Sequence, residues 1–383
     1  MYLDDPVHAL AAVTHAAPYD YYRRLAAGPP LRFDTQLDCY IAAGTAGVQA
    51  VLSHSDCRVR PSGMAVPENL AGTSCGAIFA ELVRMNDGVR HTQPKQVLAS
   101  MLGQVDLARL RLNTLQIARD HVPTSAASLN DAIFELPLFA MAGLLGFAPA
   151  QWPQLAAWTR DFVACLSPLS NSDQLAGAQL AAASLLQRFQ LLLRDTVPGS
   201  LLTEIKMAGW QSEPGLLANL IGLLSQTCEA TAGLVGNAVL ALRTQAGLHA
   251  RLRSDPRLWP AMLREVSRHD PSIHNTRRYT ACPVEIGGVA LPPGQMILVV
   301  LASAGHDASV HAEPGRFMLQ RPVSPILRYG HGRHACPGQQ LAQTMAAACL
   351  QSWADVLAAM PLAWCYQLSL NARIPVFMEG QAA

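Results

Sequence analysis

The stretch from Tyr329 to Ala342, YGHGRHACPGQQLA, constrains this chain more than any other part of the sequence. Gly330 and Gly332 have no Cβ, so the backbone there can adopt positive φ angles and approach a flat partner closely. Cys336 follows them and precedes an amphipathic pattern that predicts a long helix. The free N–H groups at a helix N-terminus stabilise a thiolate, which is the metal-binding form of cysteine. The stretch therefore predicts a metal-binding cysteine, and the alternative is a buried structural cysteine.

The spacing of this stretch resembles the haem-binding loop of cytochromes P-450. By that resemblance, Cys336 is the thiolate ligand of the iron of haem b. The family usually has Phe at the first position of the loop. Tyr329 keeps the aromatic ring and adds a hydroxyl that needs a partner. Under the resemblance, loop 329–338 supplies these haem-binding residues: Tyr329, Gly330, His334, Cys336 and Gly338.

Composition limits the class of protein. The chain has 383 residues, of which 50% are hydrophobic and 14% charged, enough for a large buried core. A net charge of +1 gives no reason to expect nucleic acid or an anionic membrane as the partner. Nine cysteines without a CxxC pair argue against a zinc site and a disulfide scaffold. The first residues show no signal-peptide pattern, so we expect a cytoplasmic protein.

Apolar residues at helical spacing dominate the chain. They predict successive helices between 107 and 202 and a long central helix over about 213–252. Gln226, Glu229 and Asn237 interrupt the central pattern, which favours a core helix over a membrane span. Short β-prone segments occur near the start and after Arg278. We expect one mainly α-helical domain over residues 1–383 with a minor β region, which is the fold that the resemblance implies.

Two basic side chains four residues apart, His91 and Lys95, would share one helix face and could hold an anion together. The alternative is a solvated basic turn. In the resembled family this position usually carries His-x-x-x-Arg against a haem propionate, so Lys95 would lack the bidentate fork of Arg. The resemblance assigns Arg278 to the other propionate, with help from His334.

The central helix carries Glu229, Ala230 and Thr231 where the resemblance implies the oxygen-activation site. Glu229 matches the family's acid, and Ala230 stands where the family usually has Thr. Successive helical residues differ by about 100° in direction, so Thr231 cannot simply replace a hydroxyl at position 230. The alternative for Glu229 is a buried carboxylate satisfied by backbone groups.

Glu265 and Arg268 can pair on one helix face. By resemblance they form the family's Glu-x-x-Arg pair, with Arg316 as the third member that clamps it. The polar segment that follows, with Ile273, His274 and Asn275, suggests a substrate pocket that offers hydrogen bonds; the alternative is that these side chains face propionates or backbone.

The resemblance implies a haem-thiolate monooxygenase that oxidises, and most simply hydroxylates, a small organic or secondary-metabolite substrate. It would use O2 and electrons from a ferredoxin or flavodoxin with its reductase, and we expect a monomer. Because Ala230 replaces Thr, two other classes stay open. One is a peroxygenase, desaturase, coupling or nitric-oxide-using enzyme, and the other is a non-catalytic haem-binding protein.

Overall fold

The protein is described by a computed structural model. It describes residues 5–195, 199–207, 210 and 212–380. The α-helices of this part are α1 Tyr19–Ala27, α2 Gly44–Ser53, α3 Ser74–Glu81, α4 Val89–Gly103, α5 Leu107–Asp120, α6 Ala126–Leu145, α7 Trp152–Val163, α8 Ser172–Arg194, α9 Leu201–Met207, α10 Glu213–Thr244, α11 Leu248–Ser254, α12 Trp259–His269, α13 Leu301–Gly305 and α14 Gln339–Ala359.

The strands are short and lie in three sheets. They are β1 Leu31–Asp34, β2 Cys39–Ala42, β3 Cys57–Arg58, β4 Thr276–Thr280, β5 Val284–Ile286, β6 Val289–Leu291, β7 Met296–Val299, β8 Leu362–Tyr366 and β9 Pro375–Glu379. The largest sheet has the order β1-β2-β7-β4-β3, while β5-β6 and β8-β9 form hairpins. Within the large sheet β2 runs parallel to β7, and β7 pairs antiparallel with β4. The expectation of a mainly helical domain with a minor β region is confirmed.

Helix α10 is the centre of the helical layer. Its start is capped by Ser212, whose hydroxyl accepts a hydrogen bond from the N–H of Gly215. Most of its side chains are buried, and it packs against α6, α14, α3 and α12. The predicted single helix over 213–252 is too long, because α10 ends at Thr244. Gly247 then adopts a left-handed φ of 71° and α11 begins as a separate helix.

Among the described residues one helix, α6, has the length and apolarity of a membrane span. Most of its apolar window is buried inside the protein. Its packing against α10, α5 and α7 is that of a core helix.

Two glycines let the C-terminal segment lie directly on α10. A Cβ built at Gly233 would lie 2.6 Å from the Ser272 Cβ and 2.8 Å from the Arg373 carbonyl oxygen. A Cβ at Gly236 would lie 2.8 Å from Pro375 Cδ. All three distances are shorter than van der Waals contact, so only glycine allows this approach.

We therefore expect Gly233→Ala to lower the free energy of unfolding by about 1–3 kcal/mol, the usual cost of overpacking a core. The matched control is Gly177→Ala in α8, where a new Cβ would meet no atom within 4 Å. That change should stabilise the protein by about 0.5–1 kcal/mol, because Ala is the better helix former. The denaturant concentrations at which the two variants unfold, compared with that of the original protein, test both predictions. Equal effects would show that the close approach at Gly233 does not exist.

Candidate functional site

The Cys336 loop is a tight turn built on two glycines. Gly330 and Gly332 adopt φ angles of +76° and +62°. The Cys336 N–H donates a hydrogen bond to the Tyr329 carbonyl oxygen at 2.8 Å, which closes the turn. A Cβ at Gly330 would lie 3.1 Å from the His334 carbonyl oxygen, so a larger residue would strain the loop. The side chain of Cys336 is exposed, whereas a structural cysteine would be buried.

The helix after the loop begins later than the sequence pattern suggests. Gly338 is the N-cap and Gln339 the first residue of α14, so Cys336 lies just outside the helix. A Cβ at Gly338 would lie 3.9 Å from the Cys336 Sγ. The first turn of α14 therefore still lies close to the sulfur, and its free N–H groups favour negative charge there.

The hydroxyl of Tyr329 has polar neighbours inside the protein. The ring is buried, and the hydroxyl lies 3.3 Å from Arg328 Nη1, 3.3 Å from Gln343 Nε2 and 3.4 Å from Ser267 Oγ. The Arg328 guanidinium carbon lies 4.1 Å from the centroid of the Tyr329 ring, in cation–π contact. This network satisfies the hydroxyl that distinguishes Tyr329 from Phe. Sequence reasoning missed Arg328, because nothing in the loop pattern marks it.

Glu265 and Arg268 form a buried bidentate pair, with distances of 2.9 Å from Nε and 2.7 Å from Nη2 to the two carboxylate oxygens. The prediction for Arg316 is wrong: its side chain is exposed and pairs with Glu313. The third member is Arg321, whose Nε lies 3.3 Å from both Glu265 oxygens. A turn closed by the Arg316 N–H and the Glu313 carbonyl directs Arg316 outwards. Only the carbonyl of Arg316 joins the cluster, accepting from Arg268 at 3.1 Å.

Four side chains that the sequence singled out converge beside the Cys336 loop. The rings of His91 and His334 are in contact, with centroids 4.1 Å apart and planes tilted by 40°. Lys95, one turn along α4 from His91, donates to the Ala335 carbonyl oxygen at 2.5 Å. Arg278 projects from the buried face of β4, and its charge lowers the pKa of His334, after the larger effect of burial.

This cluster carries more positive than negative charge. Burial lowers the pKa of His91 to about 4 and that of Arg278 to about 10, and it also lowers the pKa of Lys95. Among the described residues, Asp87 is the carboxylate that pairs with this cluster. Its Oδ1 lies 3.1 Å from His334 Nε2. Burial alone would raise the pKa of Asp87, but the hydrogen bonds from His334 and the Val59 N–H lower it to about 2.

One buried donor in the cluster lacks a partner. His91 is 2% exposed, and its Nε2 makes no hydrogen bond. Arg333 lies 3.6 Å from the Asp87 carboxylate and donates to the Cys57 carbonyl oxygen at 2.9 Å. Sequence reasoning missed both Arg333 and Asp87. A buried cationic cluster with an unpaired imidazole nitrogen fits an anionic group with carboxylates.

On α10, the three residues predicted for oxygen chemistry differ in exposure. Glu229 and Ala230 are half-buried, whereas Thr231 is fully buried in the helix packing. Burial raises the pKa of Glu229, and the charge of Arg84 opposes that rise. The Ala230 carbonyl accepts a hydrogen bond from Ser272 Oγ at 2.7 Å. The helix continues without interruption through these residues, so Thr231 is not turned towards the position of the missing hydroxyl.

The predicted polar substrate pocket is wrong in two of its three residues. His274 is 1% exposed, and its Nδ1 lies 2.6 Å from the Tyr22 hydroxyl of α1. Asn275 is also buried and donates to the Leu370 carbonyl oxygen at 2.7 Å. Both side chains therefore form hydrogen bonds inside the core and do not line a substrate pocket. Ile273 is half-buried and contacts two apolar clusters.

Known proteins resemble this chain in sequence and in structure. Cytochrome P-450 107B1 of Saccharopolyspora erythraea is 29% identical over 265 residues, 66% of this chain and 64% of that protein. Vitamin D(3) 25-hydroxylase of Pseudonocardia autotrophica is 32% identical over 218 residues, 56% of this chain and 54% of that protein. The aligned parts thus span less than two thirds of either relative. The crystal structure of CalO2 matches with a TM-score of 0.83 and 23% identity, covering 100% of both chains, which shows a shared fold.

Residues 240–353 match the sequence model of the family Cytochrome P-450. This segment includes the Glu265–Arg268 pair and the complete Cys336 loop. The family model, these relatives and the matching solved structure are all of cytochromes P-450. Proteins of this family bind haem b, and the predicted haem cofactor is confirmed at that level.

The residues of this chain fit haem b on two structural observations. The loop presents an exposed cysteine beside two positive-φ glycines, which leaves room for a flat macrocycle. The cluster of His91, Lys95, Arg278 and His334 lies next to that loop, and its two charged members, Lys95 and Arg278, can neutralise two propionates. We infer that Cys336 would bind the iron and that these four side chains would hold the propionates.

The propionate assignment predicts the behaviour of two variants. Lys95→Ala and Arg278→Ala should each weaken haem retention, because a carboxylate without its cation is costly to bury. The carbon monoxide spectrum of the remaining haem should stay unchanged, because the Cys336 ligand is intact. Arg277→Ala is the control, since Arg277 is the neighbouring strand residue with its side chain towards the opposite face of β4. Haem transfer to apomyoglobin measures the loss, and equal transfer rates for all three variants and the original protein would contradict the assignment.

The Tyr329 network gives a second prediction for the site. Tyr329→Phe leaves buried polar groups of Arg328, Ser267 and Gln343 with one partner fewer, so we expect a loss of about 1–3 kcal/mol in stability. Tyr40→Phe is the control, because the Tyr40 hydroxyl makes no hydrogen bond to the part of the chain that is described. Thermal unfolding of the two variants, followed by circular dichroism, compares them. An unchanged midpoint for Tyr329→Phe would show that the network does not contribute to stability.

Proposed function

We propose that this cytochrome P-450 is a monooxygenase that inserts one atom of O2 into a small organic substrate. The exposed Cys336 in its glycine-shaped loop is the single observation that carries the proposal. The family of the chain and the hydroxylase name of one relative agree with it. A non-catalytic haem-binding protein is the less economical alternative, because the chain has both the Cys336 loop and an acid, Glu229, on α10.

The haem, when bound, supplies the reductive activation of O2 and the oxidation of the substrate. The chain's own residues hold and tune it. Cys336 would donate negative charge to the iron, and the N-terminus of α14 would moderate that donation. The cations beside the loop neutralise the propionates. Glu229, whose pKa is raised by burial, can keep a proton on the opposite side of the site.

We propose a ferredoxin or flavodoxin with its reductase as the source of electrons. We also propose a substrate from secondary metabolism, a cytoplasmic location and a monomer. These finer assignments are supported by the resemblance to bacterial cytochromes P-450.

Ala230 supports a second candidate, a haem-thiolate enzyme that does not follow the usual monooxygenase course. A methyl group cannot donate a hydrogen bond, so position 230 cannot deliver a proton. A peroxygenase avoids part of this need, because peroxide brings its own protons. Desaturation, coupling and reactions with nitric oxide belong to the same class of alternatives.

Isotope labelling distinguishes these candidates. Substrates are first found by the change in the Soret band on binding, and then turned over under ¹⁸O₂ with a surrogate ferredoxin and its reductase. A monooxygenase gives one ¹⁸O atom per product molecule. Product that contains oxygen only from added peroxide would favour the peroxygenase, and product that lacks new oxygen would favour desaturation or coupling. Binding without any turnover would leave the haem-binding protein.

The missing hydroxyl also predicts how tightly turnover is coupled to electron supply. We propose that a polar group on the substrate, or a water that it holds, delivers the proton near Ala230. Analogues without that group should bind but release peroxide, since each lost hydrogen bond costs about 1–3 kcal/mol. Ala230→Thr should restore coupling with the analogue and change little with the true substrate.

Product and peroxide formed per electron pair measure this coupling. Tight coupling with both substrate and analogue in the original enzyme would contradict the substrate-borne proton. A relay through Glu229 would then be the explanation, and Glu229→Gln would abolish coupling.

A further inference from the structure

Arg328 is a buried cation directly before the Cys336 loop. It belongs to the short 3-10 turn Leu327–Tyr329 and is 7% exposed. The Gly330 N–H closes this turn by donating to the carbonyl oxygen of its first residue at 2.8 Å. The carbonyl of the next residue, Tyr329, accepts the hydrogen bond from the Cys336 N–H. The backbone of Arg328 is therefore fixed one residue away from the bond that closes the loop.

The guanidinium of Arg328 contacts neutral groups. Its Nη1 lies 3.3 Å from the Tyr329 hydroxyl and 3.5 Å from Ser267 Oγ, and its guanidinium carbon lies 4.1 Å from the centroid of the Tyr329 ring. Its Nε is buried and makes no hydrogen bond. Among the described residues its polar partners are the two hydroxyls, and no carboxylate pairs with it.

The elements packed around this turn provide no free negative charge. The turn contacts α12 and α13. On α12, both oxygens of the Glu265 carboxylate are already bound by Arg268 and Arg321. Helix α13, with the sequence LASAG, has no charged residue. Helix α14 offers the neutral amide of Gln343, which donates to the same tyrosine hydroxyl at 3.3 Å. The chain therefore leaves the charge of Arg328 uncompensated, which is costly inside a protein.

A haem bound through Cys336 would change its charge next to this cation. The unit of ferric iron, porphyrin macrocycle and cysteine thiolate is formally neutral when its propionates are left aside. One electron from a reductant, such as the proposed ferredoxin or flavodoxin, makes it a ferrous unit with one negative charge. A buried cation nearby stabilises the reduced form, because little water screens the attraction. Net charge and burial are among the factors by which proteins set the potential of a metal centre.

We propose that Arg328 is a positioning residue that places a fixed positive charge behind the ligand loop and raises the reduction potential of the haem-thiolate centre. It acts through its electric field and through Tyr329, whose ring and hydroxyl it contacts, and not by contact with the reacting atoms. The inference rests on the proposed haem-thiolate function, since it concerns the electron uptake of that centre.

The reduction potential is measured on the haem-loaded, full-length protein without substrate, by titration with dithionite while the Soret band is recorded. Arg328→Gln removes the charge and keeps a side chain that can donate to the Tyr329 hydroxyl. We expect the ratio of ferrous to ferric protein at a fixed potential to fall at least about tenfold, which lowers the midpoint by about 59 mV. This is the effect of a unit charge on the order of 10 Å away at an effective dielectric constant of about 20.

Three further variants separate charge from packing. Arg328→Lys keeps the charge without the planar guanidinium, so it should keep most of the original ratio. Gln343→Glu leaves Arg328 in place and puts a carboxylate on the other side of the tyrosine hydroxyl, so it should lower the ratio as Arg328→Gln does. Arg316→Gln is the matched control, because the Arg316 side chain is exposed and pairs with Glu313. That variant should keep the original ratio.

Unchanged ratios in Arg328→Gln and Gln343→Glu would overturn the proposal. An equal fall in Arg328→Lys and Arg328→Gln would also overturn it, because packing and not charge would then be responsible. Faster haem transfer to apomyoglobin from Arg328→Gln, with an unchanged ratio, would assign the residue to a propionate instead. If Arg328→Gln retains no haem, an unchanged ratio in Gln343→Glu overturns the proposal by itself.

The proposed function fails in a different and recognisable way. An original protein that takes up no haem, or whose reduced form with carbon monoxide lacks the thiolate-type Soret band, would overturn the haem-thiolate function together with this inference. A normal band in the original protein with no dependence of the ratio on the charge at position 328 would overturn the role of Arg328 alone.

Discussion

The buried carboxylate of Glu265 is the contact on which the ligand loop depends. It binds Arg268 through two hydrogen bonds and receives Arg321 and the Met318 N–H from the segment that leads to the loop. Arg268 in turn donates to carbonyl oxygens at Gly305 and Pro314. An irregular segment has no ladder of its own, so these bonds fix its course. Removing one partner of such a buried pair costs about 3–5 kcal/mol, because the other charge is left uncompensated.

Charge compensation connects the remaining parts of the site. Glu265 is matched within the protein, whereas the cluster around His91 and Arg278 has more cations than carboxylates. The first arrangement is structural and complete. The second calls for anions from outside the chain, which the haem propionates would provide.

Local sequence patterns predicted the fold class and the glycine turn before Cys336, because glycine positions and a helix start are encoded within a few residues of that cysteine. They failed where distant segments decide. His274 is buried by Tyr22, 252 positions away in the chain. Arg321 replaces Arg316 because the path of an irregular segment selects which arginine returns to Glu265. The end of α10 depended on one positive φ at Gly247, which apolar periodicity does not reveal.

The central claim is that Cys336 is the thiolate ligand of a bound haem. The most direct measurement is the absorption spectrum of the reduced protein with carbon monoxide, recorded for the original chain and for Cys336→Ser. The account predicts the strongly red-shifted Soret band typical of a thiolate ligand in the original chain and its loss in the variant. A colourless protein, or an unshifted Soret band in a natively folded sample, would contradict it.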